Sequence, residues 1–259
     1  MTVSRLTATG DGDVAGHTVQ VSTEGSQVAA RILVVDDEVA LAGMIASYLS
    51  RDGYQTRLAH TGPDGLAAAL DYRPDVVILD LGLPGMDGVE VCRKIRTFSD
   101  CYIIMVTARQ DELDKLIGLS VGADDYITKP FSARELVARV QTVLRRPRTS
   151  LGSTAQAEEP PRVFGDLTVD TAGREVHVAG TLVDLTPTEF DILATLTSRP
   201  KLAFSRQQIL DQVWGDGWVG DDHVVDVHVA HLRQKLGDDS ATPRYVRTVR
   251  GVGYRMGPG

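Results

Sequence analysis

Asp75-Val-Val-Ile-Leu-Asp80 is a short, mostly β-branched apolar run closed at both ends by carboxylate. A run of this kind with no polar interruption reads as a strand buried on both faces of a parallel sheet. An earlier run, Arg31-Ile-Leu-Val-Val35, ends in Asp36-Asp37-Glu38. Two such strands deliver acids to the carboxyl edge of one sheet, where open α/β sheets place their chemistry. Three like charges gathered there repel unless a cation or a shared proton joins them. The two runs therefore predict a hard-metal site with one carboxylate free to react.

Around these runs, residues 31–145 alternate strand-like and helix-like segments five times. Strands are expected at 31–36, 54–59, 75–80, 101–106 and 124–128. Between them lie amphipathic stretches: Leu41, Ile45, Tyr48 and Leu49 share one helical face, as do Leu136, Val140 and Val143. Ser132-Ala-Arg-Glu135 is a capping-box sequence opening the last helix. Five βα units of this length imply a (βα)5 doubly wound parallel sheet of flavodoxin-like class. Pro147 to Pro161 lacks periodicity and is bounded by prolines, the pattern of an interdomain linker.

Residues 162–259 read as an α+β winged helix-turn-helix. Strands are expected around 162–169, 174–178 and 181–185. Thr186-Pro-Thr-Glu189 and Ser205-Arg-Gln-Gln208 are capping boxes opening two helices. A third helix, about 222–236, aligns Val225, Val229, Leu232 and Leu236 on one face. Two strand-like runs around Gly251-Val-Gly253 then form a terminal hairpin. The expected domains are thus a disordered extension at 1–30, a first domain at 31–146, a linker at 147–161 and a second domain at 162–259.

Bulk composition agrees. The 259 residues suffice for two cores, and 42% hydrophobic with 24% charged residues is the balance of a globular protein. Cys92 and Cys101 offer neither a disulfide framework nor metal-ligand spacing, which fits a reducing cytoplasm. No run of about 18 apolar residues occurs, so no membrane span is expected. The Thr-, Ser- and Gly-rich start lacks the apolar region of a secretory signal. The net charge of −8 argues against a generic polyanion binder. Residues 233–255, however, hold six basic side chains against Asp238 and Asp239. Such a local stripe can meet a phosphate backbone, because charges are screened over about 10 Å.

Several strings together carry a resemblance. The first half has Val34-Val-Asp-Asp-Glu38, Asp80-Leu-Gly-Leu-Pro-Gly-Met-Asp-Gly88, Val106-Thr-Ala-Arg109 and Gly122-Ala-Asp-Asp-Tyr-Ile-Thr-Lys-Pro-Phe131. The second has Leu185-Thr-Pro-Thr-Glu-Phe190, Val225-Asp-Val-His228, Leu232-Arg-Gln-Lys-Leu236 and Arg250-Gly-Val-Gly-Tyr254. In order and spacing they resemble two-component response regulators of the OmpR/PhoB type, over roughly 31–145 and 160–256. The resemblance implies that Asp80 accepts a phosphoryl group from a sensor histidine kinase. Asp36, Asp37 and Asp80, with the backbone carbonyl of Gly82, would hold Mg²⁺, which prefers carboxylate oxygen. Lys129, before a cis proline, would bond the phosphoryl group, and Thr107 would donate its hydroxyl. Tyr126 would swing inward with Thr107. Thr107 also suits a helix N-cap, with Gln110 three residues on.

The implied output is a homodimer, built on Lys115, Leu116, Leu119, Asp125, Glu135 and Arg139. Lys115 would face Glu135 and Asp125 would face Arg139 across the interface, setting register more than affinity. The third effector helix would enter the major groove of promoter DNA, at direct repeats, through His223, Val227, Ala230, His231 and Gln234. Arg233, Lys235, Arg247 and Arg250 would meet phosphate. Where the family commonly has arginine or threonine, this chain has His223 and Val224, and where it has basic residues, Ala230 and His231; an altered target sequence is expected. The loop Gly215–Asp222, with Trp218, would touch RNA polymerase. Two competing readings differ in class. A haloacid-dehalogenase-like phosphatase would want a second acid where Gly82 stands, and no dedicated enzyme activity beyond self-phosphorylation and its reversal is expected. A constitutive winged-helix factor would leave the acids without a task.

Overall fold

The computed structural model describes residues 29–107, 121–145, 159–216, 218 and 221–259. The expected extension up to residue 28, most of the expected linker, the helix expected before residue 121, and the positions Lys115, Leu116 and Leu119 lie outside them.

The first domain is the expected α/β sheet. Strands β1 (Arg31–Val35), β2 (Gln55–Ala59), β3 (Val76–Asp80), β4 (Tyr102–Thr107) and β5 (Asp125–Thr128) pair in parallel in the order β2-β1-β3-β4-β5. Helices α1 (Val39–Arg51), α2 (Gly62–Tyr72), α3 (Gly88–Ile95) and α4 (Ala133–Arg145) connect or follow them. Side chains alternate faces along a strand, and the core divides accordingly. Leu33, Val35, Val77 and Leu79 pack on one side with Val91 and Ile95 of α3. Ile32, Val34, Val76 and Ile78 pack on the other with Ile45 and Leu49 of α1 and Leu136 and Val140 of α4. Each fully buried aliphatic side chain contributes about 1.5–3 kcal/mol, so register is fixed on both faces. The strand order reverses between β1 and β3, and that crevice is the natural ligand position.

The second domain opens with an antiparallel sheet, β6 (Arg162–Phe164), β7 (Leu167–Asp170), β8 (Glu175–Val178) and β9 (Thr181–Leu182). The single strand expected over 162–169 is two strands: Gly165 adopts φ +61° and turns the chain between them. Helices α5 (Pro187–Ser198), α6 (Arg206–Val213) and α7 (His223–Leu236) follow, the first two with complete capping boxes from Thr186 and Ser205. A short strand not expected from sequence, β10 (Phe204–Ser205), precedes α6. The terminal hairpin is β11 (Val246–Val249) and β12 (Gly253–Met256), and β10 pairs with β12, tying the hairpin to the start of α6. One hydrophobic cluster runs from Leu33 and Tyr126 in the first domain to Phe190 and Trp214 in the second.

Candidate functional site: an acidic pocket coupled to a recognition helix

Four strand ends build the pocket. Asp36 follows β1, Asp80 closes β3, Thr107 closes β4 and Lys129 follows β5. Asp36 and Asp80 are 1% and 6% exposed, and Thr107 is buried beside them in the fold. The Lys129 ammonium donates to Asp36 Oδ2 at 3.0 Å and to Asp80 Oδ2 at 3.1 Å. Carboxylate oxygens of Asp36, Asp37 and Asp80 all lie within 4.8 Å of one another, with Asp37 exposed. The Glu38 N–H donates to Asp36 Oδ1 at 2.9 Å and the Gly82 N–H to Asp80 Oδ1 at 3.3 Å. The Lys129–Pro130 bond is cis. Gly88 lies so close under Asp80 that a Cβ there would sit 2.2 Å from the Asp80 carbonyl oxygen. The helix-cap reading of Thr107 turns on residue 110, outside the described residues.

The electrostatics are those of crowded carboxylates. Burial, and then the charge of Asp80, raise the Asp36 pKa; the Lys129 and Glu38 hydrogen bonds offset this only in part. Burial alone would lower the Lys129 pKa, but its bonds to Asp36 and Asp80 bring it above the ordinary value. Three carboxylates with one ammonium leave net negative charge among all-oxygen donors, the chemistry that takes a small hard cation. The residues present fit Mg²⁺.

Beyond the pocket, β5 and α4 meet the second domain. Arg139 Nη1 donates to Asp125 at 2.7 Å and Nη2 to Glu135 at 3.1 Å, within one chain. The Ser132 hydroxyl caps Glu135 N–H at 3.1 Å. Trp218 sits on this face, its Nε1 3.5 Å from Asp125 Oδ2 and its ring 5.4 Å from the Arg139 guanidinium. Tyr126 is buried and hydrogen-bonded with the Asp221 backbone; burial, then the Asp221 charge, push its hydroxyl up to about 12. A second contact was not legible in sequence. Asp124, fully buried, accepts from Arg96 Nη2 at 2.5 Å and Ile103 N–H at 2.9 Å on one oxygen. Its other oxygen accepts from Thr188 N–H at 3.2 Å, at the start of α5.

The third effector helix buries Val225, Val229, Leu232 and Leu236 as expected, and Val224 and His228 besides. His223, Ala230 and Gln234 are exposed, Val227 and His231 half-buried. Burial lowers the His231 pKa, with Glu189 and Lys235 acting in opposite senses. Two expected phosphate contacts are engaged inside the domain. Arg233 donates to the Val246 carbonyl at 2.7 and 3.0 Å and to Thr248, and Lys235 pairs with buried Glu189 at 2.8 Å. Arg250 is exposed at the hairpin tip, and half-buried Arg247 stands opposite exposed Arg255, a basic position the motifs did not single out. A cleft of about 970 Å³ separates the end of α7 from the first domain, lined by Arg93, Asp100, Glu189, His231, Gln234 and Lys235.

A doubly wound sheet with acids at its switch point, joined to a winged helix-turn-helix, defines a receiver coupled to a DNA-binding effector. Family models agree: residues 32–141 match the response regulator receiver domain, and 180–256 match the C-terminal transcriptional regulatory protein domain. The chain is 44% identical over 230 residues to the DNA-binding response regulator MtrA of Mycobacterium tuberculosis (strain ATCC 25618 / H37Rv), covering 88% of this chain and 97% of that one. It is also 44% identical over 232 residues to the transcriptional regulatory protein CseB of Streptomyces coelicolor, covering 87% and 97%. A solved structure of a cysteine-to-serine mutant of RitR is similar at 30% identity and TM-score 0.71, over 89% of this chain and all of that one. The chain belongs to the OmpR/PhoB family of two-component response regulators. No described helix is long and apolar enough to cross a membrane.

Proposed function

We propose that Asp80 is the phosphoryl acceptor of a Mg²⁺-dependent switch that controls promoter binding. The carrying observation is Lys129, bonded at once to Asp36 and Asp80 at 3.0 and 3.1 Å. An ammonium so placed holds Asp80 in orientation, then follows the charge onto a transferred phosphoryl oxygen. In the transfer a carboxylate oxygen of Asp80 forms the new P–O bond, the donor's P–N bond breaks, and the histidine kinase's imidazole leaves as the neutral ring with a proton taken from solvent. Asp36, Asp37, Asp80 and the Gly82 carbonyl would hold Mg²⁺, which when bound neutralises the phosphoryl oxygens. Thr107, buried at the end of β4, supplies a hydroxyl to the same group. The chain acts on itself alone and is not a dedicated enzyme.

The output follows from Tyr126. Its contact with Asp221 and the Trp218 contact with Asp125 and Arg139 join the receiver to the loop that leads into α7. Phosphorylation draws Thr107 and Tyr126 inward, loosens this contact, and frees Asp125, Glu135 and Arg139 to pair across a symmetric dimer. The same step frees the Trp218 loop for RNA polymerase and α7 for direct-repeat DNA. This coupling speaks against a constitutive factor. A small phosphodonor with Mg²⁺ should add one acid-labile phosphoryl group by intact mass; an equal gain in Asp80→Asn would sink the assignment.

A further inference from the structure

His223 is the first residue of α7, and its side chain is 61% exposed. The ring is not loose. Its Nδ1 lies 3.3 Å from Asp226 Oδ2, one turn along the helix. Asp226 is itself fixed from two other elements, because Arg206 Nε of α6 donates to its Oδ1 at 2.8 Å and the Tyr254 hydroxyl of β12 at 2.6 Å. A carboxylate held by two other partners imposes its orientation on the imidazole, as an outer carboxylate does on a ligating histidine.

We propose that His223 is a proton-dependent contact to a hydrogen-bond acceptor on DNA, and that Asp226 is the positioning residue that aims it. The proposal rests on α7 being the helix that enters DNA. With Nδ1–H donated to Asp226, the neutral ring presents Nε2 as an acceptor. Phosphate oxygen and the guanine N7 and O6 edge are acceptors too, so the neutral ring has nothing to offer them. Protonation turns Nε2 into a charged donor. Nε2 makes no hydrogen bond among the described residues, which leaves it available.

The surroundings favour the proton. The hydrogen bond to Asp226, then the charge of Asp221, bring the His223 pKa above its ordinary value. The charged groups that face it are Asp221 and Asp222 from the preceding loop, Asp226 on its own helix and Arg206 from α6, with Tyr254 behind Asp226. Arg206 and the positive helix end oppose protonation; the three carboxylates outweigh them. Those same acids would repel a phosphate backbone if His223 stayed neutral. Proton uptake here reduces that repulsion and adds a donor in one step.

The test is anisotropy of the full-length, phosphodonor-treated protein between about pH 6 and 8 at fixed ionic strength. Two labelled duplexes serve, one selected from a random library by the wild-type protein and one unrelated. Wild type should bind the selected duplex about three- to tenfold tighter at the acid end. His223→Gln, at an exposed position, should lose that gain while keeping the wild-type melting temperature. Asp226→Asn should move the midpoint to lower pH. A gain on both duplexes identifies phosphate as the acceptor, and a gain on the selected duplex alone identifies a base edge. If His223→Gln keeps the wild-type slope, or Asp226→Asn changes affinity equally at every pH and leaves the midpoint where it was, the proposal is overturned. Failure of the wild type to bind either duplex at any pH would overturn the DNA-entry reading, and the proposal with it.

Discussion

Lys129 balances two buried acids, so its removal acts on stability as well as chemistry. Lys129→Ala leaves Asp36 and Asp80 without their shared donor and should cost about 1–3 kcal/mol in urea unfolding. Asp36 has the opposite sign. A carboxyl whose folded pKa is raised binds its proton more tightly when folded. Its contribution is therefore most favourable below the unfolded value and is lost as pH rises through the folded one. Asp36→Asn should accordingly raise the melting temperature at neutral pH, and the gain should shrink as pH falls toward about 4. The double variant should recover part of the Lys129→Ala loss, since the two sites are in contact. A melting temperature unchanged by Asp36→Asn at neutral pH would refute the raised pKa. The pocket residues were legible because each ends a strand or follows one, and strand ends of a parallel sheet share an edge. Asp124 was not legible: nothing in Gly122-Ala-Asp-Asp tells which of the two buried acids meets Arg96 and Thr188 and which meets Arg139.

The helices show where pattern and partner part company. Winding α7 at 3.6 residues per turn places its four main buried residues correctly. Val224 and His228 escape that pattern because α7 is covered over a wider arc, with His228 lying 5.6 Å from the Trp214 ring. Arg233 is the sharper case. Sequence shows a cation beside a reading face, but not the Val246 carbonyl it satisfies. Arg233→Ala should therefore lower effector stability by about 1–3 kcal/mol. It should leave the slope of log affinity against log salt unchanged, whereas loss of a phosphate contact would reduce that slope by about one. A reduced slope at unchanged stability would restore the phosphate role. The split of 162–169 into β6 and β7 was likewise hidden, because a glycine's positive φ is set by the turn it is drawn into.

For the whole molecule, the domains meet through Asp124 on Thr188, Tyr126 on Asp221, and Trp218 on Asp125 and Arg139. Trp218 over Arg139 is a cation–π pair of about 0.5–1 kcal/mol. Trp218→Ala should raise the radius of gyration in small-angle scattering. It should strengthen DNA binding by unphosphorylated protein roughly two- to fivefold. Unchanged scattering together with unchanged binding would show that Trp218 does not hold the domains together. Two domains were legible from the change in periodicity and the proline-bounded linker. Their mutual arrangement was not, because contacts between separately patterned cores leave no period in the chain.

Asp124 carries a consequence for how such regulators can be recombined. One of its oxygens serves the receiver's own Arg96 and Ile103, and the other reaches Thr188 in the effector. A hybrid made by joining this receiver to a foreign winged helix would keep the first bond and lose the second wherever the new α5 starts at a different angle. The carboxylate, buried for the receiver's sake, would then face the junction with a lone pair unmet. Hybrids of this protein should thus succeed or fail at the first turn of α5, at the opposite end of β5 from Lys129.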